Sequence, residues 1–133
     1  MNAPRTTPRP NRERGSISVE FALMLTFFFM PLLLGIIDFG QILHAQSVVA
    51  RAAREGAVAA ARSQDINTAV DNYVRNAGYD LSLTHISTAG SRIAGEPVTV
   101  TVRYDTSNMV IIPWQNFTAN LTQVVASATT QQF

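Results

Sequence analysis

The chain has 133 residues, a length for one ordinary domain and less once a membrane segment is subtracted. Its net charge of +1 is unevenly placed: Arg5, Arg9, Arg12 and Arg14 against Glu13 give +3 in residues 1–15, while six Arg against eight carboxylates give −2 in the remainder. That sign excludes a grip on nucleic acid, which needs a basic face, and the lack of cysteine excludes disulfides and thiolate metal sites.

The leader, Met1–Gly15, carries three prolines and four arginines with no apolar run, which predicts disorder. Read alone it is a terminal tail. Abutting an apolar stretch it is a topogenic segment, because arginines next to a hydrophobic helix hold that end in the cytoplasm.

Ser16–Ile37 is 22 residues with one charge, Glu20. As a helix it spans about 33 Å at 1.5 Å per residue, against a hydrocarbon core of roughly 30 Å. Phe27-Phe28-Phe29-Met30 and Leu32-Leu33-Leu34 are apolar all round, as lipid requires and a one-sided core does not. Pro31 and Gly35 are better tolerated in a membrane helix than in a soluble one. Asp38 is expected to end the span. The rest of the chain is too short to enclose such a helix within a soluble fold. A secretory signal would have a shorter core followed by a small-x-small cleavage site, whereas here Asp38-Phe39-Gly40-Gln41 follows and the small pair Gly15-Ser16 precedes.

Gly15 followed by Ser16-Ile17-Ser18-Val19-Glu20 resembles the class III signal of type IV pilins and pseudopilins. With Glu20-Phe21-Ala22-Leu23 and the downstream Arg51-Ala52-Ala53-Arg54-Glu55-Gly56-Ala57, the stretch resembles the TadE-like family of pilus proteins (type IVb, tight adherence) over about residues 12–62. The resemblance implies cleavage after Gly15 by a prepilin peptidase, which frees the amine of Ser16 and makes Glu20 the fifth mature residue. Many type IV pilins have Phe or Met where this chain has Ser16. It further implies that Glu20 recruits the subunit and fixes its register in a filament. The physics agrees, since an amine left among packed apolar helices needs a carboxylate partner. The other reading is that Glu20 snorkels to the cytoplasmic interface.

From Phe39 to Arg62 no proline occurs, and Ile42, Leu43, Val48 and Val49 recur at helical spacing with Phe39 and Ala52. Ala52, Gly56 and Ala60 repeat every four residues, as do Ala53, Ala57 and Ala61. Such rows admit a close neighbour. Two uses stay open: packing of the chain's own domain, or subunit helix packing along Glu20, Phe21, Ala52, Gly56 and Ala60. Arg51 and Glu55 are four apart and read as a solvated pair, and His44 has no second ligand nearby.

Ser63 or Asp65 caps a short helix carrying Ile66, Ala69, Val70, Tyr73 and Val74, with Gly78 as its stop. Leu81, Leu83 and His85 alternate with polar residues as a strand would. Ala89–Arg92 and Ala94–Pro97 read as turns. Val98–Tyr104 alternates β-branched residues strictly and is the clearest strand, with Val98, Val100, Val102 and Tyr104 on one face. Met109–Trp114 is an apolar loop that closes the sheet or offers a contact surface. Asn116–Thr130 holds a last strand, and its two Asn-x-Thr sequons carry little weight.

These elements predict an α+β, pilin-like fold: a long N-terminal transmembrane helix continuing into a periplasmic half, then a short helix and a small antiparallel sheet. The expected divisions are a cytoplasmic leader (1–15), the long helix (16–62, transmembrane about 17–37) and an extracytoplasmic domain (63–133). No phosphate loop, metal-spaced cluster or catalytic set is evident, so the chain reads as no enzyme, with no cofactor and no metal. The resemblance implies a minor pilin or pseudopilin of a tight-adherence (Flp-type) pilus, serving assembly, secretion and surface adhesion. Its partners would be the prepilin peptidase, other pilins, the inner-membrane assembly platform and the lipid bilayer, without nucleic acid. The competing reading is a single-pass membrane anchor whose C-terminal domain binds a partner, with no filament.

Overall fold

The computed structural model describes residues 13–90, 93, 95–112 and 122–131. The fold is α+β. A 49-residue helix α1 (Glu13–Ala61) is followed by α2 (Ile66–Asn76), a 3-10 turn (Leu81–Leu83), and strands β1 (Thr84–Gly90), β2 (Pro97–Asp105) and β3 (Gln123–Gln131). The strands form one antiparallel sheet in the order β1-β2-β3. The chain divides into two units, one ending at Gly35 and the other starting at Ile36.

In the first unit the side chains face outward. Ile17, Phe21, Leu23, Met24, Phe27, Phe28 and Leu33 are all exposed, Phe27 to 86%. Thr26 disposes of its hydroxyl by donating to the Ala22 carbonyl one turn back, at 2.8 Å. Pro31 lies inside the helix without ending it.

In the second unit α1 changes character. Ile42, Ala45, Val49, Ala52, Ala53, Ala57 and Ala60 join one buried cluster with Ile66, Val70 and Val74 of α2 and with Val98, Val100, Val102 and Tyr104 of β2. β2 is the central strand, so its inward residues are covered on both sides. Val102 pairs with Ile86 of β1 and with Ala126 of β3. The outward row is polar, and Thr99 and Thr129 share a hydroxyl hydrogen bond of 2.8 Å across β2 and β3. Strict alternation in the sequence therefore gave the correct inward and outward sets for β2.

The helix ends follow local chemistry. Asp65 caps α2 by accepting from the Asn67 and Thr68 amides at 3.3 and 3.2 Å. At the other end Gly78 takes φ +82°, the left-handed conformation that glycine adopts without Cβ strain. The Tyr79 amide then reaches the Val74 carbonyl at 3.1 Å and the Gly78 amide reaches that of Arg75 at 3.0 Å, closing a Schellman motif.

Three expectations are corrected. Leu81 and Leu83 lie in a 3-10 turn and not in a strand. Asp80 accepts from the Ser82 amide at 2.8 Å and tightens the chain there, so the strand starts at Thr84 and keeps only His85 of the expected set. Ala89 and Gly90 belong to β1 and not to a turn, and Pro97 opens β2 as its first residue, a place where a missing N–H is tolerated. The leader's last residues, Glu13 to Gly15, are helical. Pro113, Trp114 and the asparagines of both sequons lie outside the described residues.

Candidate functional site

Gly15 and Ser16 fall in the opening turns of α1, which begins at Glu13. Glu20 is exposed, five residues further along. It lines a shallow depression with Ile17, Phe21 and Met24, the one-face spacing of a helix. A carboxylate is thus held in an exposed apolar surface.

Residues 15–58 match the family model described as TadE-like protein. This stretch resembles the TadE-like family. It runs from the glycine at the head of α1 to the small-sided turns that pack on the sheet, and residues 59–133 lie outside the match. No curated protein and no solved structure gives a match to the chain. One helix of the described residues, α1, is long and apolar enough to cross a membrane, and the apolar window in it is not buried by the rest of the chain. That is compatible with a single-pass anchor.

Within the TadE-like stretch the structure decides the use of the small-residue row. Ala52 and Ala60 are buried in the chain's own core. A Cβ at Gly56 would stand 2.8 Å from a methyl of Val70 and 3.0 Å from one of Val100. These three positions face α2 and β2, so they are not available to a neighbouring subunit. Of the two uses the sequence left open for Ala52, Gly56 and Ala60, packing in the chain's own domain is the one seen within this chain. Glu20 and Phe21 remain exposed.

Asp38, expected to end the span, has partners that the sequence did not reveal. It is fully buried, at 0% exposure, and its two carboxylate oxygens accept from the amides of Ile111 and Ile112 at 2.9 and 2.8 Å. A signal was present: Asp38 stands at alternating four- and three-residue steps from Ile42, Ala45, Val49, Ala52 and Gly56, the inward stripe of α1. The loop it holds is itself ordered by short-range bonds. Asp105 accepts from the amide and the hydroxyl of Ser107 at 2.9 and 2.5 Å, and the Met109 amide reaches the Thr106 carbonyl at 3.0 Å. These bonds, the hydroxyl's first, hold the Asp105 carboxyl below its ordinary pKa. Asp80 is lowered too, by the Ser82 amide first and then the Ser82 hydroxyl.

His44 is exposed and lies beside Tyr79, ring centres 6.1 Å apart. Tyr79 meets buried Tyr104 edge-on at 5.2 Å. Burial, with the neighbouring Tyr104, pushes the Tyr79 hydroxyl above its usual pKa. Among the described residues no three His, Cys, Asp or Glu side chains are grouped to hold a metal.

Proposed function

We propose that the chain is a minor pilin or pseudopilin of a tight-adherence pilus, anchored in the bacterial inner membrane by α1 before it joins the filament. The observation that carries the reading is Gly15 and Glu20 at the head of an exposed apolar helix, within the stretch matched by the TadE-like model. The leader arginines keep the N-terminus in the cytoplasm and the C-terminal domain, residues 63–133, is periplasmic. A prepilin peptidase cuts after Gly15. The new Ser16 amine then enters a bundle of apolar helices, where a bare charge is costly, and Glu20 of an adjoining subunit neutralises it. In this scheme the protein is a substrate of the peptidase and a structural component, with no chemistry of its own. Other pilins and the assembly platform are its partners, and filament assembly serves secretion and adhesion.

Mass spectrometry of the membrane-extracted protein tests processing. An N-terminus at Ser16 in cells with the peptidase, and at the uncut leader in cells without it, is the expected pair of results. An uncut N-terminus in both sinks the reading. Glu20→Ala tests assembly: the variant is expected to stay in the membrane fraction and fail to enter filaments. Normal incorporation of that variant would favour a simple anchor whose domain binds a partner.

A further inference from the structure

The outward face of the sheet carries a group of hydrogen-bond donors that the proposed function does not use. His85 of β1 stands directly opposite Arg103 of β2, and Ser87 opposite Thr101. The pleat puts all four on one face, because the alternate residues Val100, Val102 and Tyr104 are buried in the core. Opposite residues lie about 5 Å apart across the strands, and the next pair about 7 Å along them. The four side chains therefore stand at the corners of a patch the size of one small polyatomic group. With Ile86 they line a concavity of about 240 Å³.

The chemistry of that lining is one-sided. Arg103 brings a guanidinium with its N–H donors in a fixed fork, His85 an imidazole N–H, and Ser87 and Thr101 a hydroxyl each. Among the described residues no carboxylate lines the hollow. Asp105 is the acid of the same outward row, within electrostatic reach of His85, and its carboxylate is engaged by the amide and hydroxyl of Ser107. On the other side β3 sets Val125 beside Arg103 and Ser127 beside Thr101, and so adds no acid. Arg103 is exposed, and among the described residues it forms no ion pair and no side-chain hydrogen bond. A cation beside a histidine, with no acid in contact, leaves this face short of negative charge.

We propose that this hollow binds a phosphoryl group, with Arg103 as its main partner and His85, Ser87 and Thr101 as further donors. A carboxylate fits less well, because its two oxygens are satisfied by the guanidinium fork alone and the other donors stay unused. A phosphoryl group keeps three acceptor oxygens even when esterified, so it can take the fork and the opposite donors together. The volume is smaller than the roughly 300–1,000 Å³ of pockets that enclose a whole drug-sized molecule. It suits capture of one charged group whose carrier stays in water. Free phosphate and a phosphate ester offer that same group, and titrating both tells them apart. The site lies wholly on β1 and β2 of the second unit, so its fate is independent of the pilin reading.

The chain has two histidines, so in a His44→Gln background the ring of His85 gives a unique signal. The untagged full-length protein, isotopically labelled and held in detergent micelles at neutral pH and constant ionic strength, is titrated with inorganic phosphate and followed by NMR. The expected result is saturable shifts at the His85 ring and at the Ser87 and Thr101 amides, with exposed Asn72 unmoved. Kd should rise about tenfold or more in Arg103→Gln, and less in Arg103→Lys, which keeps the charge and loses the fork. Ser87→Ala should weaken binding a few-fold. Shifts that stay linear in phosphate overturn the proposal, as does an unchanged Kd in a folded Arg103→Gln. If that variant disturbs the backbone spectrum beyond the hollow, an unchanged Kd in Ser87→Ala overturns it instead. Acetate that saturates the site as tightly as phosphate overturns the phosphoryl group as ligand. Glycerol phosphate binding as tightly as inorganic phosphate, or more so, supports an ester carrier, whereas tighter binding of the inorganic ion supports free phosphate.

Discussion

Replacing Gly56 by alanine sets two effects of opposite sign against each other. In a helix interior alanine is favoured over glycine by about 1 kcal/mol, so on propensity alone Gly56→Ala would stabilise the protein. The packing says otherwise. The added Cβ would meet Val70 at 2.8 Å, Val100 at 3.0 Å and Ile66 at 3.4 Å. All three partners are β-branched and stiff at χ1, and all are buried, so their methyls cannot swing away. Overpacking of this kind costs about 1–3 kcal/mol, so the net expectation is a loss of about 1 kcal/mol. Urea unfolding of the full chain in mild detergent, followed by circular dichroism, reads the shift in midpoint at constant slope. Val70→Ala alone should cost on the order of 2 kcal/mol, and the double variant should cost less than the sum by roughly 0.5 kcal/mol or more because it relieves the closest contact. A gain in stability for Gly56→Ala, or strict additivity with Val70→Ala, would refute the close approach of α1 to α2 and β2.

Asp38→Ala leaves two amides without their charged acceptor and should destabilise the second unit by about 2–4 kcal/mol in the same unfolding assay, with Asp38→Asn losing less. Loss of the α2 cap in Asp65→Ala should cost about 1 kcal/mol, and Gly78→Ala about 1–2 kcal/mol, since a side chain at φ +82° is strained. The pH dependence has a defined sign. The folded carboxyls of Asp105 and Asp80 are lowered by bonds from Ser107 and Ser82, so the stability they contribute is present above the unfolded value of about 3.9 and is lost as pH falls through the folded one. Urea midpoints should therefore drop below about pH 4, and the drop should be smaller in Asp105→Asn. An unchanged acid limb in that variant would remove Asp105 from the account.

The parts of this protein legible in the sequence are those that short-range rules govern. The apolar run required no partner to be recognised, because lipid is matched by composition alone and α1 is indeed exposed along it. Asp65 and Gly78 mark the ends of α2 because caps and left-handed turns are chosen within four residues of their own position. Strict alternation placed Val98, Val100, Val102 and Tyr104 inward, since a strand has a period of two whatever it packs against. Leu81 and Leu83 misled because two apolar residues at alternate positions also fit a single 3-10 turn, and Asp80 decides between them through one local bond.

What the sequence left open was which partner each surface finds. The row Ala52, Gly56, Ala60 announces a close approach equally well for a neighbouring subunit or for the chain's own sheet. Only the positions of Val70 and Val100, fixed by elements many residues away, assign it to the core. Asp38 is the sharper case. A lone carboxylate after an apolar run marks the end of that run, and the sequence does not say what fills its acceptor sites. The amides that fill them come from 73 and 74 residues further along the chain. No periodicity carries that pairing, because it depends on the return of the chain past β2 to the helix. Burial of a charge is decided by whether the fold supplies its partners, and that is a property of the tertiary structure alone.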